Sequence, residues 1–413
     1  MKDAVANGAT VRGGTGGSRK VSAKLAPVGA KDRIEQIDVL RGVALFGVMA
    51  INVVNEFRIS IFQQFVGGPA STGAFSRWLW SCLHVFVEMK AFAVFSLLFG
   101  VGLAIQFERA RARGPVLGLL TRRLLALLVI GAIHLTLIWN GDILTEYAVA
   151  GFVVLPFLFL SRRWIGVCSA LFALLYLALP LSHLSLPSIH MEWIARDLAQ
   201  AQVVYTHGSF WQVMGFEWNE LPELLPLHIY VLPRTIALFL FGAFCWRSGL
   251  LQKLRMKMRL LMGVGAGCLV AGIPLTVLTS QLAGSWEVRP GEANDTMGLV
   301  GEMVLAVGYA AGILAVCTTP WGMRMLGWAA PLGRMAFTNY LLQSIVFSAI
   351  FFGWGLGLYG MQVAPALLIG MGVYGMQVVL SDEWLRRYRF GPVEWLWRTL
   401  MYGRLQRMVR GGD

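Results

Sequence analysis

The sequence predicts an all-α protein, a polytopic bundle of about ten transmembrane helices with both termini in the cytoplasm. Its 413 residues are 57% hydrophobic and only 14% charged, and a soluble protein of this size has too small a core to bury so much apolar surface. Apolar runs of about 18 to 22 residues recur along the chain, the length that spans a hydrocarbon core. The solvent of this chain is therefore expected to be the lipid bilayer.

The distribution of basic residues predicts the orientation. With the N-terminus inside, most of the 35 Lys and Arg residues fall in the predicted inner segments, as the positive-inside rule requires. The predicted outer segments hold only Arg58, Arg77, Arg196 and Arg289. An odd number of spans would destroy this asymmetry. Topology therefore explains the net charge of +13, and no nucleic-acid partner is expected.

The chain divides into five predicted segments. Residues 1–30 are rich in Gly, Ala, Ser, Thr and Lys, form no apolar face and predict a disordered cytoplasmic tail. Residues 31–182 and 226–382 are two halves of five spans each, separated by an external loop with short helices at 183–225. A basic, aromatic cytoplasmic tail occupies 383–413. The predicted spans cover about 37–54, 78–107, 124–139, 147–160, 165–181, 227–244, 260–278, 297–317, 335–352 and 363–380.

Two details qualify this division. The second span is long for one helix, and its start carries His84, Glu88 and Lys90. The sequence is therefore compatible with either one helix or two in this segment. The triplet Leu-Phe-Gly recurs at 45–47, 98–100 and 240–242, which is typical of close helix crossings.

The five cysteines are scattered in or beside apolar runs, which indicates small buried side chains and no disulfide framework.

The strongest candidate site is the stretch 132–147, read as AIHLTLIWNGDILTEY. His134 lies inside a predicted span, about a turn and a half from its outer end, where an ionisable group indicates function. Asp142 follows the turn and is expected to orient His134, to act as a base itself, or only to cap the next helix. Trp139, Asn140 and Glu146 complete the cluster as candidate substrate-binding residues.

Five further polar residues in or near the spans are candidates for substrate binding. Asp38 and Arg41 are three residues apart and share a helix face, so they are expected to pair; the alternative for them is a topology anchor. Asn52 is typical of a hydrogen bond between helices. Arg234 and Glu302 lie within spans, so each needs a partner in space. The outer histidines lack metal-ligand spacing, and no metal is expected.

Several motifs, in order, resemble the YeiB-like family of bacterial multi-spanning membrane proteins. They are RIEQIDVLRGVALFGVMAIN, FSLLFGVGLA and IHLTLIWNGDIL in the first part of the chain, then PLGRMAFTNYLLQS, FFGWGLGLYG and WLRRYRFGPVEWLWRTLMYG in the last third. The resemblance covers roughly residues 33–404. It implies a multi-pass protein of the bacterial cytoplasmic (inner) membrane, in a family named for a domain of unknown function.

The opening Asp-x-x-Arg-Gly, formed by Asp38, Arg41 and Gly42, also resembles the first helix of a wider group of membrane acyltransferases. Those proteins move acetyl groups from cytoplasmic acetyl-CoA onto sugars across the bilayer. The resemblance implies acetyl-CoA or another acyl-CoA as the donor, a glycan or small molecule as the acceptor, and a membrane-embedded histidine. His134 and His84 are both candidates for that histidine.

Three functions follow from these residues. In an acyltransferase, His134 would be the general base, Asp142 would orient it, and Arg41 would meet the CoA phosphates. Because His134 and Arg41 lie near opposite faces of a span of ~30 Å, this function needs a tunnel between them. In a proton-coupled transporter or exporter, Arg234 and Glu302 would join Asp38, Arg41 and His134 along one central path. In a scaffold, the basic C-terminal tail would bind anionic lipid.

Overall fold

The computed structural model describes residues 33–66, 73–112, 114, 116–181, 191–282 and 293–410. The predicted tail 1–30 lies outside these residues. Within them the secondary structure is helical, which confirms the all-α fold class. The helices are α1 (Glu35–Asn52), α2 (Ala74–Phe86), α3 (Lys90–Arg111), α4 (Val116–Leu137), α5 (Leu144–Val154), α6 (Arg162–Ala178), α7 (Met191–His207), α8 (Phe210–Arg247), α9 (Met258–Leu282), α10 (Ala293–Val316), α11 (Pro320–Leu326), α12 (Ala329–Arg334), α13 (Ala336–Phe351), α14 (Val363–Arg387) and α15 (Pro392–Tyr402).

Each of the ten predicted spans falls on one helix or, for the second span, on two, and the helices differ in length. Among the described residues, seven helical segments are long and apolar enough to cross a membrane. The predicted fourth, fifth and ninth spans correspond to α5, α6 and α13, which have 11, 17 and 16 residues. At 1.5 Å per residue, α5 extends only about 16 Å and does not cross a bilayer alone.

The predicted second span is two helices. Helix α2 ends at Phe86 and α3 begins at Lys90. Between them Met89 adopts a φ of 61°, a left-handed conformation that interrupts a right-handed helix. The break places the side chain of Lys90, at the start of α3, inside the bundle, where it is almost fully buried.

The predicted boundary between the external loop and the second half falls inside a helix. Instead of short helices across 183–225, the described residues form α7 and the first part of α8, which runs unbroken for 38 residues. Three prolines, Pro222, Pro226 and Pro233, lie within α8. Each removes a backbone donor, and prolines of this kind predict a break, but membrane helices tolerate proline where neighbours satisfy the freed carbonyl groups.

The Leu-Phe-Gly triplets mark helix crossings. A β-carbon at Gly100 of α3 would overlap the backbone of Phe239, and one at Gly242 of α8 would overlap the carbonyl of Leu97. Helices α3 and α8 therefore cross backbone to backbone, each supplying its glycine. The third triplet glycine, Gly47 of α1, lies against Ala91. The crossing of α3 and α8 joins the first half of the chain to the second, whereas the contact at Gly47 lies within the first half.

The C-terminal tail folds back onto the bundle. Helix α14 continues through Arg387, and α15 packs against α4 and α13. Glu394 of α15 accepts hydrogen bonds from the backbone amides of Phe337 (2.8 Å) and Thr338 (3.1 Å) and from the hydroxyl of Thr338 (2.5 Å). One carboxylate thus supplies acceptors to the first turn of α13, where amides lack helical partners, and fixes α15 in place.

Candidate functional site

His134 and Asp142 form a buried pair at the hairpin between α4 and α5. The Nδ1 atom of His134 lies 2.8 Å from Oδ1 of Asp142, and both side chains are fully buried. Asp142 also accepts the backbone amides of Leu144 (3.1 Å) and Thr145 (2.7 Å). One carboxylate therefore contacts both the imidazole ring and the first backbone amides of α5.

The second ring nitrogen of His134 is the chemically available one. Its Nε2 atom is buried and has no hydrogen-bond partner among the described residues. With Nδ1–H assigned to the Asp142 carboxylate, Nε2 carries the lone pair. The ring lies 5.4 Å from that of Tyr340 and 6.2 Å from that of Trp139, measured between centroids. The His134 ring is therefore held through Nδ1 and packed between aromatic side chains, with Nε2 free of hydrogen bonds to the described residues.

Trp139 and Asn140, at the turn of the hairpin, contact other parts of the bundle. Trp139 stacks on Phe57 at 4.3 Å. Asn140 donates to Oε2 of Glu220 at 2.6 Å, and Tyr205 donates to the same oxygen at 2.8 Å. Sequence reasoning missed Glu220, which lies in the predicted external loop but is almost fully buried.

Glu146 bonds to a different part of α8. It accepts a hydrogen bond from the hydroxyl of Thr235 at 2.5 Å and lies 3.4 Å from Nδ1 of His228. Its partners therefore separate it from the His134–Asp142 pair, although all three residues belong to one predicted cluster.

A cavity of about 300 Å³ lies beside this hairpin. Its walls come from α1, α3, α4, α5, α8, α12, α13 and α15, and Ile143, Leu144, Tyr147 and Tyr340 line it on the side of the hairpin. Six arginines line it: Arg33, Arg41, Arg109, Arg123, Arg334 and Arg398. The cavity is therefore cationic at one end and apolar toward the other.

Asp38 and Arg41 lie at the cationic end of the cavity. Asp38 pairs with Arg41 at 3.1 Å, as their spacing predicts, and with Arg33 at 2.7 Å. Arg41 also donates to the carbonyl of Gly333 at 3.3 Å. A β-carbon at Gly42 would overlap the carbonyl of Ala329, so the Asp-x-x-Arg-Gly motif needs its glycine for the close approach of α12.

The cavity nearly connects Arg41 with His134. His134 and Asp142 do not line it, and Tyr340 stands between them and the cavity. The hydroxyl of Tyr340 lies 3.4 Å from the carbonyl of Gly141 and 3.5 Å from the amide of Ile143. Tyr340 therefore lines the cavity and packs near the His134 ring, at 5.4 Å between centroids.

Sequence reasoning missed Arg123 and Arg398. The pair Arg122–Arg123 precedes an apolar run and was expected to lie in an inner loop. Both residues belong to α4, where Arg122 is exposed and Arg123 is 4% exposed. The guanidinium of Arg123 lies between the rings of Phe99 (4.9 Å) and Trp397 (4.7 Å). Two adjacent arginines at the start of a span were the available signal, because adjacent helix positions face different directions.

Arg234 and Glu302 belong to a second group of charges. Glu302 lies 4.0 Å from Nζ of Lys90. Arg234 is almost fully buried, lies 5.9 Å from the ring of Tyr176, and interacts electrostatically with Glu302. Neither Arg234 nor Glu302 lines the cavity.

His84 and Asn52 also lie outside the cavity lining. His84 pairs with Glu88, four residues later. Asn52 is buried, and its side-chain oxygen has no hydrogen-bond partner among the described residues. Neither His134 nor His84 lines the cavity, and the ring of His134 lies 5.4 Å from that of Tyr340, which does line it. Within the described ranges, no group of three or more His, Cys, Asp or Glu side chains is arranged to hold a metal ion.

Long apolar helices that carry ionisable groups at their packed interfaces define a multi-pass membrane protein. Residues 245–404 match the family described as "Protein of unknown function (DUF418)". The uncharacterized protein YxaH of Bacillus subtilis is 32% identical over 403 residues, covering 92% of this chain and 96% of the relative. The uncharacterized protein YeiB of Escherichia coli is 27% identical over 390 residues, covering 89% and 96%.

The chain belongs to this YeiB-like family, whose C-terminal part is the DUF418 domain. An uncharacterized 39.9 kDa protein of Bacillus acidopullulyticus is 25% identical over 391 residues, which cover 92% of this chain and 96% of the relative. No solved structure matches the chain.

Proposed function

We propose that the protein transfers an acyl group from an acyl-CoA donor to a hydroxyl or amine of a small molecule or glycan. One observation carries the proposal: the cavity extends from the arginines around Arg41 to Tyr340, whose ring contacts His134. An acyl-CoA has the matching chemistry, since it joins a phosphorylated end to a less polar arm that ends in the thioester.

In the proposed reaction, Nε2 of His134 accepts the proton of the acceptor hydroxyl or amine. The acceptor atom then attacks the thioester carbonyl, the new acyl bond forms and the carbon–sulfur bond breaks. The CoA sulfur leaves as a thiolate and takes the proton from the His134 imidazolium. Asp142 holds the ring and stabilises its positive charge between the two proton transfers.

The proposal requires that the donor reach Nε2 of His134. Tyr340 is the side chain in the way, and its hydroxyl makes only long contacts, at 3.4 and 3.5 Å. Rotation of this ring would join the cavity to the buried imidazole. Once the ring moves, the acceptor needs access only at the hairpin, where Trp139 and Asn140 lie.

The test is acyl transfer by the purified full-length protein in lipid nanodiscs, with radiolabelled acetyl-CoA and a panel of sugars and amines. We expect His134→Ala to reduce transfer about 10²- to 10⁴-fold, the usual contribution of a general base. His207→Ala is the matched control, because His207 is exposed on α7. Wild-type protein without acyl transfer or thioester hydrolysis would exclude the proposal, as would a fully active His134→Ala variant.

Proton-coupled transport is the second candidate, and the pair of Lys90 and Glu302 favours it. Two opposite charges 4.0 Å apart, with the Lys90 side chain only 2% exposed, are costly in a membrane interior and typical of ion pathways. In this candidate Glu302 carries the proton, and Arg234 neutralises the Glu302 carboxylate after the proton leaves. Solute counterflow that depends on Glu302 in the absence of acyl chemistry would favour transport.

The proposed orientation places the cationic end of the cavity in the cytoplasm of a bacterial cell, at the inner membrane, with both termini on that side. It rests on the positive-inside rule. Single cysteines at Arg122 and at His207, in a variant without the five native cysteines, test it by labelling with a membrane-impermeant maleimide in intact cells. We expect label at residue 207 and none at residue 122.

A further inference from the structure

The cavity has an excess of positive charge that its own carboxylates do not neutralise. Only two carboxylates, those of Asp38 and Glu394, line it beside the six arginines. Asp38 is occupied by Arg33 and Arg41. Glu394 accepts three hydrogen bonds from the first turn of α13. Asp38 and Glu394 supply two negative charges against six arginines, so the cavity lining keeps an excess of positive charge.

Arg123 lies on α4, and more of its buried nitrogens lack a hydrogen bond than those of the other arginines of the cavity lining. It is 4% exposed, and its Nε and Nη1 atoms make no hydrogen bond to any residue that the structure describes. Its side chain lines the cavity and lies between Phe99 and Trp397. Taking an ion out of water costs more free energy than a cation–π contact returns. The position is unfavourable unless an anion completes it.

Two further arginines from other helices line the same cavity and lie close enough to Arg123 to repel its charge. Arg398 of α15 and Arg41 of α1 both repel Arg123 electrostatically. Three guanidinium groups from three separate helices therefore surround one cavity. Such a group repels itself when empty, and a ligand with one negative charge would balance only part of it.

We propose that Arg41, Arg123 and Arg398 bind the phosphate groups of an amphipathic phosphate ester that carries at least two negative charges. Guanidinium groups match phosphate oxygens with paired hydrogen bonds, which makes arginine suited to this role. The uncharged part of the ester extends past Leu127 toward Tyr340. The inference deepens the proposed function and rests on it for the identity of the ester as CoA, whereas the phosphate site is measured by binding.

The experiment measures binding to full-length protein in nanodiscs of zwitterionic lipid, in buffer without phosphate. The probes are CoA and inorganic pyrophosphate, followed by titration calorimetry. We expect Arg123→Gln to raise the Kd for both probes at least tenfold, with a smaller effect for Arg123→Lys. Arg122→Gln, the exposed neighbour on the same helix, should leave both Kd values unchanged.

A second arm distinguishes the sources of the phosphate. Nanodiscs that contain phosphatidic acid or phosphatidylglycerol test a lipid headgroup as the natural occupant. Anionic lipid that displaces CoA from wild type, but alters nothing in Arg123→Gln, would assign the site to a lipid phosphate. Wild type that binds neither CoA, pyrophosphate nor anionic lipid would overturn the inference.

A purely structural role for Arg123 makes a different prediction. If Arg123 served only to attach α15 through Trp397, its removal would lower the Tm of the ligand-free protein. In a ligand site, Arg123→Gln removes an unbalanced buried charge, so the Tm without ligand should stay equal or rise, and the stabilisation by CoA should disappear. A lower ligand-free Tm with unchanged CoA binding would overturn the inference.

The outcomes for the site and for the reaction are separable. CoA binding that depends on Arg123, without acyl transfer, would retain the phosphate site and exclude the enzyme. Acyl transfer that depends on His134 but is unaffected by Arg123→Gln would retain the enzyme and exclude this site.

Discussion

A single oxygen of Asp142 accepts hydrogen bonds from both the ring of His134 and the first backbone amide of the following helix. Oδ1 lies 2.8 Å from Nδ1 of His134 and 3.1 Å from the amide nitrogen of Leu144. The orientation of the imidazole and the start of α5 are therefore set by the same carboxylate. Perturbing Asp142 should change the chemistry and the stability of the hairpin together.

Asp142→Asn should lower both acyl transfer and stability. The amide has one acceptor oxygen where the carboxylate has two, so it loses either the bonds from His134 and Leu144 or the bond from Thr145, and it also loses the negative charge. We therefore expect the kcat to fall by at least about 10²-fold, as when a histidine loses its orienting carboxylate. Loss of the helix cap should reduce the free energy of unfolding by about 1 kcal/mol. Asp382→Asn, an exposed change on α14, is the control for both measurements. A stable and fully active Asp142→Asn would exclude the orienting role.

Tyr340→Ala should expose His134 to the cavity. Removal of the ring joins the 300 Å³ space to the imidazole, so His134 should react several-fold faster with diethyl pyrocarbonate, as measured by mass spectrometry of its peptide. His207 provides an internal reference, because it is already exposed. An unchanged rate at His134 would show that Tyr340 does not control access.

Gly100→Ala should disrupt the crossing of α3 and α8. The added methyl would overlap the backbone of Phe239, and neither backbone can yield without moving its helix, so we expect a loss of about 1 to 3 kcal/mol or more. Gly375→Ala is the control, since no heavy atom lies within 4 Å of its β-carbon position. There alanine should stabilise the helix by about 0.5 to 1 kcal/mol. Thermal unfolding in detergent compares the two.

Asp197 should make stability depend on pH. Burial raises the pKa of Asp197 from its ordinary 3.8 to about 6, and the side chain shares a hydrogen bond with Glu220. The folded protein holds this proton more tightly than the unfolded chain, so the stabilisation is complete below pH 3.8 and is lost as the pH rises through about 6. The Tm of wild type should therefore fall over this interval, and Asp197→Asn should reduce the fall. An identical pH profile for the variant would contradict this.

Trp397→Ala should loosen α15. Trp397 covers Arg123 at 4.7 Å and donates to its backbone carbonyl at 2.9 Å. Without these contacts, amides of residues 392–402 should exchange hydrogen faster, and CoA should both associate and dissociate faster. Trp395→Ala is the matched control, because Trp395 donates to Gln406 within the tail and not to α4. Equal exchange rates in the two variants would show that Trp397 does not fix the helix.

The sequence predicted the fold where hydropathy alone determines it. Long apolar runs became helices, and the Leu-Phe-Gly triplets became crossings, because bilayer thickness and helix packing leave few alternatives. Helix boundaries were less predictable. Helix α8 continues through the predicted boundary between residues 225 and 226 despite its three prolines. The left-handed Met89 that divides α2 from α3 carries no local signal, since methionine rarely adopts this conformation.

The candidate site was predictable only where its residues are close in the chain. His134 and Asp142 are eight residues apart in one hairpin, so their pairing could be inferred. Arg123 and Trp397 are 274 residues apart, and only the return of α15 brings them together. Which of two adjacent arginines faces the bundle depends on the rotation of α4, and that rotation is set by packing.

The crossing of α3 and α8 also limits how the protein can move. Backbone lies against backbone at Gly100 and Gly242, so no side chain can change rotamer to let these helices slide or tilt. The first and second halves of the chain are therefore in direct backbone contact there. Helix α15, by contrast, is held by side chains such as Glu394 and Trp397. Opening of the cationic cavity would then require movement of α15 against the rest of the bundle, and not movement of one half of the chain against the other.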